Sequence, residues 1–329
     1  MDLPVIDIGA LVAESDPADR QAVADRMGAA CRDTGFFYVS HHGVAAGLQL
    51  RLEELSREFF ALPVERKSAI RMELAGAAWR GWFPVGAELT SGRTDVKEGI
   101  YFGSELGPEH PRVLAGIPLH GSNLMPDQPP ELGPTVLAWI DAMTGLAHAL
   151  MRGLALSLEL PETWFAEHWT TDPTVLFRIF NYPPAPVVED GQWGVGEHTD
   201  YGLLTILKQD HHGGLQVRAR AGGWIEAPPV PDTFVCNIGD MLDRLTGGHY
   251  RSTPHRVVPS VGHHRLSWPF FLDPSWDADV RPVGRAELAP DARTTRWDGA
   301  DLHEYSGTYG EYLLTKVGKV FPALRNQVR

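Results

Sequence analysis

The spacing of apolar and polar positions changes period part-way along the chain. Through the first half it is helical. Residues 17–32 carry Val23, Met27 and Ala30 at helical spacing and stop near Gly35; residues 48–60 carry Leu48, Leu52, Leu55 and Phe59 on one face before Pro63. Residues 134–160 hold the longest stripe, Val136, Ile140, Met143, Ala147, Leu150 and Leu154, with Pro134 near the start and Pro161 as the stop. Residues 5–8 and Phe36–Ser40 read as strands. Residues 74–130 are broken by Gly and Pro and predict a largely irregular segment, with aromatic stretches at 79–83 and 97–102 packed as a collar, a substrate-binding wall being the competing reading. From Thr174 the period falls to two. Residues 176–180, 203–207, 215–217, Phe234–Ile238 and 266–272 are short runs between Gly/Pro turns, which predicts an antiparallel barrel or jelly roll. Residues 309–317 predict a last helix after a polar loop. The expected architecture is mainly β with helical additions, the helical front half cradling one jelly roll.

Composition narrows the class. A net charge of -13 argues against nucleic acid or an anionic membrane as partner. Two cysteines, Cys31 and Cys236, cannot build a disulfide framework and read as inert core residues. No basic, apolar leader precedes the first strand, and the apolar region around 135–160 is interrupted by Asp141, His148 and Arg152. A soluble cytoplasmic protein acting on a small molecule is expected.

The chemistry concentrates in GVGEHTDYGLLTILKQ at 194–209 and in the runs around His255 and Arg265. His198 and Asp200 are two apart, which on a strand puts both on one face. His255 completes a set of two imidazoles and one carboxylate if the fold brings it close. That set suits a non-haem Fe(II) with half its octahedron left open, and no H-E-x-x-H helix points to a zinc hydrolase. Arg265 heads a β-rich run with Ser267 on the same face. An arginine inside a barrel needs an anion, and its planar fork matches a carboxylate; an internal ion pair is the competing reading. The pairs His41-His42, His211-His212 and His263-His264 sit beside glycines and read as loop residues. His249 competes with His255, but Gly247-Gly248 predict a turn there, and His148 lies within the long helical stripe.

Together these residues resemble the Fe(II)/2-oxoglutarate-dependent dioxygenases, in the branch that includes isopenicillin N synthase. The family's H-x-D…H triad is similar to His198, Asp200 and His255, and its R-x-S motif to Arg265-Leu266-Ser267. Tyr182, in RIFNYPP at 178–184, resembles the family's tyrosine, although Phe180 stands where the commoner pattern has Asn. The resemblance implies Fe(II) at the triad and 2-oxoglutarate gripped by Arg265, Ser267 and Tyr182. It also implies O2 as co-substrate and a double-stranded β-helix core. Residues 1–120 would form the N-terminal part of that fold, 172–276 the jelly-roll core and 300–329 the C-terminal helix, as one integrated unit. The implied reaction hydroxylates or desaturates a small organic substrate while 2-oxoglutarate becomes succinate and CO2. The R-x-S motif alone does not separate this from a 2-oxoglutarate-independent oxidase of the isopenicillin N synthase type, and a non-catalytic metal-binding jelly roll is a third reading.

Overall fold

An eight-stranded sheet forms the body of the molecule in the computed structural model, which describes residues 2–184, 191–282 and 302–320. Its order is Val5–Asp7, Phe36–Ser40, Phe234–Ile238, Leu204–Gln209, Arg265–Ser275, Pro173–Tyr182, Glu98–Gly103, Gly81–Phe83. The first pair is parallel and the others antiparallel. A second sheet runs Trp224–Glu226, Leu215–Arg218, His255–Val257, Val195–His198. Strands of both sheets line one cavity, and the core is the jelly roll that the period-two pattern predicts.

Alternation along Pro173–Tyr182 shows how one strand serves two layers. Leu176, Arg178, Phe180 and Tyr182 face the cavity, while Val175, Phe177 and Ile179 are buried on the other side, where Trp139 stands 6.3 Å from Phe177. Trp139 belongs to helix Leu132–Ser157, whose predicted stripe is buried throughout; each fully buried Leu there contributes about 1.5–3 kcal/mol. Helices Pro17–Asp33 and Ala46–Ala61 pack against it. Cys31 and Cys236 are free and buried, and burial pushes the Cys31 thiol up to about 12, so it stays protonated and inert.

The segment 74–130 is more regular than its composition suggests. Glu98–Gly103 is a full strand of the main sheet, although two of its six residues are glycine. A Cβ on Gly99 would stand 2.7 Å from Phe180 and 2.8 Å from Phe83, so only glycine lets these strands and rings close up. Local propensity is overruled by packing.

Helix Tyr309–Val320 lies against strand Arg265–Ser275, tied by the Tyr309 hydroxyl donating to Asp273, and covers the cavity with Leu313, Lys316 and Val317. Most of the polar loop before it (283–301) and residues 321–329 lie outside the described residues, and so do both ends of the expected 300–329 region. Among the described residues no helix is long and apolar enough to cross a membrane.

Candidate metal and co-substrate site

His198 ends strand Val195–His198 and His255 opens His255–Val257; the two are direct cross-strand partners with ring centroids 4.2 Å apart. Asp200 corrects one expectation. The strand stops at His198, so Asp200 reaches the histidines from the following loop and not from a shared strand face. It is fixed from behind. Its Oδ2 accepts from Thr205 Oγ1 at 2.5 Å and Asn237 Nδ2 at 2.7 Å, and its backbone carbonyl accepts from Asp240 N at 2.8 Å. Oδ1 is left 3.7 Å from His198 Nε2 and 3.8 Å from His255 Nε2.

The outer ring nitrogens set the tautomers. His198 Nδ1 lies 2.9 Å from the Gly196 carbonyl and His255 Nδ1 3.2 Å from that of Thr253, so each Nδ1 carries the proton and each Nε2 presents a lone pair. One ligand atom from each of the three residues falls within 4.8 Å of the others. Burial, and then the facing His198, push His255 down to about 4; burial also lowers His198, against the pull of Asp200. For Asp200 burial acts upward, but the two imidazoles and the Asn237 and Thr205 donors outweigh it and hold the carboxyl below its usual range. Near neutrality the cluster therefore offers two neutral imidazoles and one carboxylate, the forms a divalent metal requires.

Arg265 opens strand Arg265–Ser275 directly opposite Tyr182, and only 2% of it is exposed. Its Nε donates to the Gly213 carbonyl at 2.8 Å and Nη2 to Gln209 Oε1 at 3.3 Å, while Nη1 is buried with no partner. Among the described residues no carboxylate pairs with it, so the internal ion pair weighed against the anion clamp is not formed there. Ser267 Oγ lies two residues on and 3.4 Å from the Tyr182 hydroxyl. All six predicted site residues line a single cavity of about 680 Å³. A buried guanidinium with one nitrogen unpartnered and no carboxylate partner among the described residues, in the cavity of His198, Asp200 and His255, fits an anionic co-substrate.

The other histidines do not join. His249 is exposed on a bend, and His148 is half-buried on its helix. His42 stacks on Phe234 with centroids 4.1 Å apart, His212 binds Asp210, and His264 binds Asn181. Trp268 faces away from the cavity, donating to Ser56 Oγ at 3.0 Å.

Several polar residues around the cavity were not anticipated. Thr205 and Asn237 orient Asp200. Lys97, fully buried, stands 2.5 Å from Asp95 Oδ2 and 3.0 Å from Glu88 Oε2. Asp95 Oδ1 in turn accepts from Gly196 N at 3.1 Å, two residues before His198. A signal existed for some of them: Thr205, Asn237 and Arg178 are polar residues inside otherwise apolar strand runs, where a buried polar group is informative.

The profile of the 2OG-Fe(II) oxygenase superfamily matches residues 173–274, and that of the non-haem dioxygenase in morphine synthesis N-terminal region matches residues 3–128. The chain belongs to the 2OG-Fe(II) oxygenase superfamily. It is an Fe(II)/2-oxoglutarate-dependent dioxygenase, an oxidoreductase using Fe(II), 2-oxoglutarate and O2. This oxygenase is 46% identical to a probable iron/ascorbate oxidoreductase of Dictyostelium discoideum, over 99% of this chain and 96% of the relative. It is 38% identical to a homoarginine-6-hydroxylase of Oryza sativa subsp. japonica, over 96% of each. In structure it resembles a full-length Neurospora crassa protein crystallised in complex with alpha-KG, with a TM-score of 0.80, 26% identity and 96% of each chain covered.

Proposed function

We propose that His198, Asp200 and His255 ligate Fe(II) in this oxygenase, and that Arg265, Ser267 and Tyr182 hold the distal carboxylate of 2-oxoglutarate. The enzyme then hydroxylates or desaturates a C–H position of a small organic molecule in the same cavity. One observation carries the reading: Arg265, whose Nη1 is buried without a partner, lines the same cavity as the three convergent candidate ligand atoms. The homoarginine hydroxylase relative supports hydroxylation of an aliphatic carbon.

When bound, Fe(II) supplies the O2 activation that couples oxidation of 2-oxoglutarate to oxidation of the substrate. The protein's part is geometric and electrostatic. Thr205 and Asn237 keep Asp200 Oδ1 turned inward, and the Gly196 and Thr253 carbonyls keep both imidazoles in one tautomer. Arg265 and Tyr182 fix one end of the co-substrate, so its 2-oxo acid end is delivered to the ligand cluster. Leu313 and Val317 of the C-terminal helix narrow the mouth and exclude water. We also read regions 1–120, 172–276 and 300–329 as one functional unit, because strands from the first and second regions share the main sheet and the last helix covers the cavity.

Anaerobic addition of Fe(II) and then 2-oxoglutarate should give a visible charge-transfer band, and admitting O2 should yield succinate. A protein that takes up Fe(II) and O2 without any dependence on 2-oxoglutarate would count for the oxidase reading.

A further inference from the structure

Arg178 is a second cavity arginine that the metal and co-substrate assignment does not use. It stands in the middle of strand Pro173–Tyr182, on the cavity-lining row with Phe180 and Tyr182. Tyr101, from the neighbouring strand on one side, and Phe271, from the neighbour on the other, flank its guanidinium with ring centroids 4.1 and 4.9 Å from Cζ. Its Nε is buried without a hydrogen-bond partner. Among the described residues the one carboxylate oxygen within ion-pair range is Glu88 Oε1, at 4.0 Å. That oxygen already accepts from the Tyr101 hydroxyl at 2.5 Å, and Glu88 Oε2 faces Lys97 Nζ at 3.0 Å. Glu88 is therefore shared among Tyr101, Lys97 and Arg178, with Arg178 the most distant of the three. Rings on two sides leave a guanidinium its in-plane edge for hydrogen bonding, the direction in which it binds a planar oxyanion with two parallel bonds, and Arg178 lines the cavity.

We propose that Arg178 binds a carboxylate of the organic substrate, so that this oxygenase acts on small molecules carrying an acid group. The proposal rests on the Fe(II)/2-oxoglutarate reading of the same cavity and names the substrate class for it. Arg178 is not a second clamp for the co-substrate. The register Ser267↔Phe180 places it opposite Pro269, four residues along the strand from Arg265, or roughly 13 Å at about 3.3 Å per residue. The terminal carbons of 2-oxoglutarate are only about 5 Å apart, given C–C bonds of about 1.5 Å. The two arginines also have no partner in common: Arg265 is held by Gly213, Gln209 and Tyr182, and Arg178 by Tyr101 and Phe271 with Glu88 at the limit of range. A neutral carbonyl would leave the cation with only the distant Glu88 oxygen as counter-charge, whereas a carboxylate matches it in charge and in shape.

The test uses the Fe(II)- and 2-oxoglutarate-loaded enzyme and a panel of small carboxylic acids, amino acids including homoarginine and arylacetic acids among them, each paired with its own primary amide. Succinate formation above the substrate-free rate is the readout. Acids should stimulate it and their amides should not. For the best acid, Arg178→Gln should raise the apparent KM by roughly 30-fold or more, with Arg178→Lys recovering part of the loss. The charge-transfer titration with 2-oxoglutarate should move less than about threefold in both variants, a split that general damage to the fold would not produce. If Arg178→Gln does not fold, the Lys variant carries the test, since it keeps the charge and still loses the fork. Equal stimulation by acids and amides, no acid-selective response across the panel, an unchanged KM, or weakening of 2-oxoglutarate in place of the acid would each overturn the assignment. Wild-type enzyme with no charge-transfer band would remove the metal and co-substrate reading first, and the Arg178 assignment with it.

Discussion

His198 and His255 face each other as a cross-strand pair, one closing its strand and the other opening its own, with ring centroids 4.2 Å apart. The small sheet thus sets the geometry of two of the three proposed metal ligands by backbone pairing. The third, Asp200, is set by side chains: Thr205 and Asn237 come from two adjacent strands of the main sheet. The site is assembled where the two sheets of the jelly roll approach each other.

Replacing His198, Asp200 or His255 by Ala should abolish Fe(II) retention and 2-oxoglutarate turnover, with the fold preserved. His249→Ala should keep both, because His249 is exposed on a bend. Metal content and succinate yield on the four purified variants check this; iron lost from the His249 variant alone would transfer the third ligand position to it.

Asn237→Ala should act more mildly. It removes a donor to Asp200 Oδ2 at 2.7 Å but leaves Thr205, so the carboxylate is less well aimed. Loss of an outer-shell partner typically costs about 10–100-fold in metal affinity. Titration with Mn(II) as a redox-inert surrogate would measure it, and wild-type affinity would show that Thr205 suffices.

Arg265→Ala should weaken 2-oxoglutarate by roughly 30-fold or more, the loss of a buried charge-assisted pair of about 2–5 kcal/mol. Lys should restore only part, since a point charge lacks the planar fork. The melting temperature should not fall in step, because removing an uncompensated buried charge offsets the lost bonds to Gly213 and Gln209. A large drop in stability with unchanged co-substrate affinity would make Arg265 a structural residue.

Metal binding should resist acid. Protons compete with metal for the imidazoles, and burial has moved His255 from 6.5 to about 4 and lowered His198 as well. Surrogate-metal affinity should therefore hold as pH falls through 6.5 and collapse only towards about 4. The sign for stability follows: the unfolded histidine takes up its proton first, so the metal-free protein loses stability as pH falls from 6.5 towards about 4. Affinity lost already near pH 6.5 would mean that the imidazoles titrate as exposed groups.

Lys97→Met should be among the most destabilising single changes near the cavity. It would leave the carboxylates of Glu88 and Asp95, 5% and 2% exposed at the side chain, without their shared cation. Breaking a buried pair on one side costs about 3–5 kcal/mol. Because Asp95 also holds Gly196 N, the His198 strand should loosen too. Urea unfolding gives the number, and a loss under about 1 kcal/mol would show that water replaces the lysine.

The sequence alone carried the periodicities, and these determined the three long helices, the jelly-roll strands and the last helix to within a few residues, since burial on one face must repeat with the element's own pitch. It also carried the order H-x-D…H…R-x-S, which named six cavity residues once Tyr182 is counted with them. Tertiary structure decided the rest. Glu98–Gly103 is a strand because Phe83 and Phe180 leave room only for Gly99, a contact that no local propensity encodes. Asp200 works from a loop because Asn237 and Thr205 hold it there, and the chain does not state which polar residues will meet. Arg178, Glu88, Lys97 and Asp95 read singly as ordinary charges. Only the fold determines that Lys97 stands between Glu88 and Asp95 while Arg178 lines the cavity with Glu88 at the limit of ion-pair range, because whether a charge is compensated depends on distances between strands that are remote in sequence.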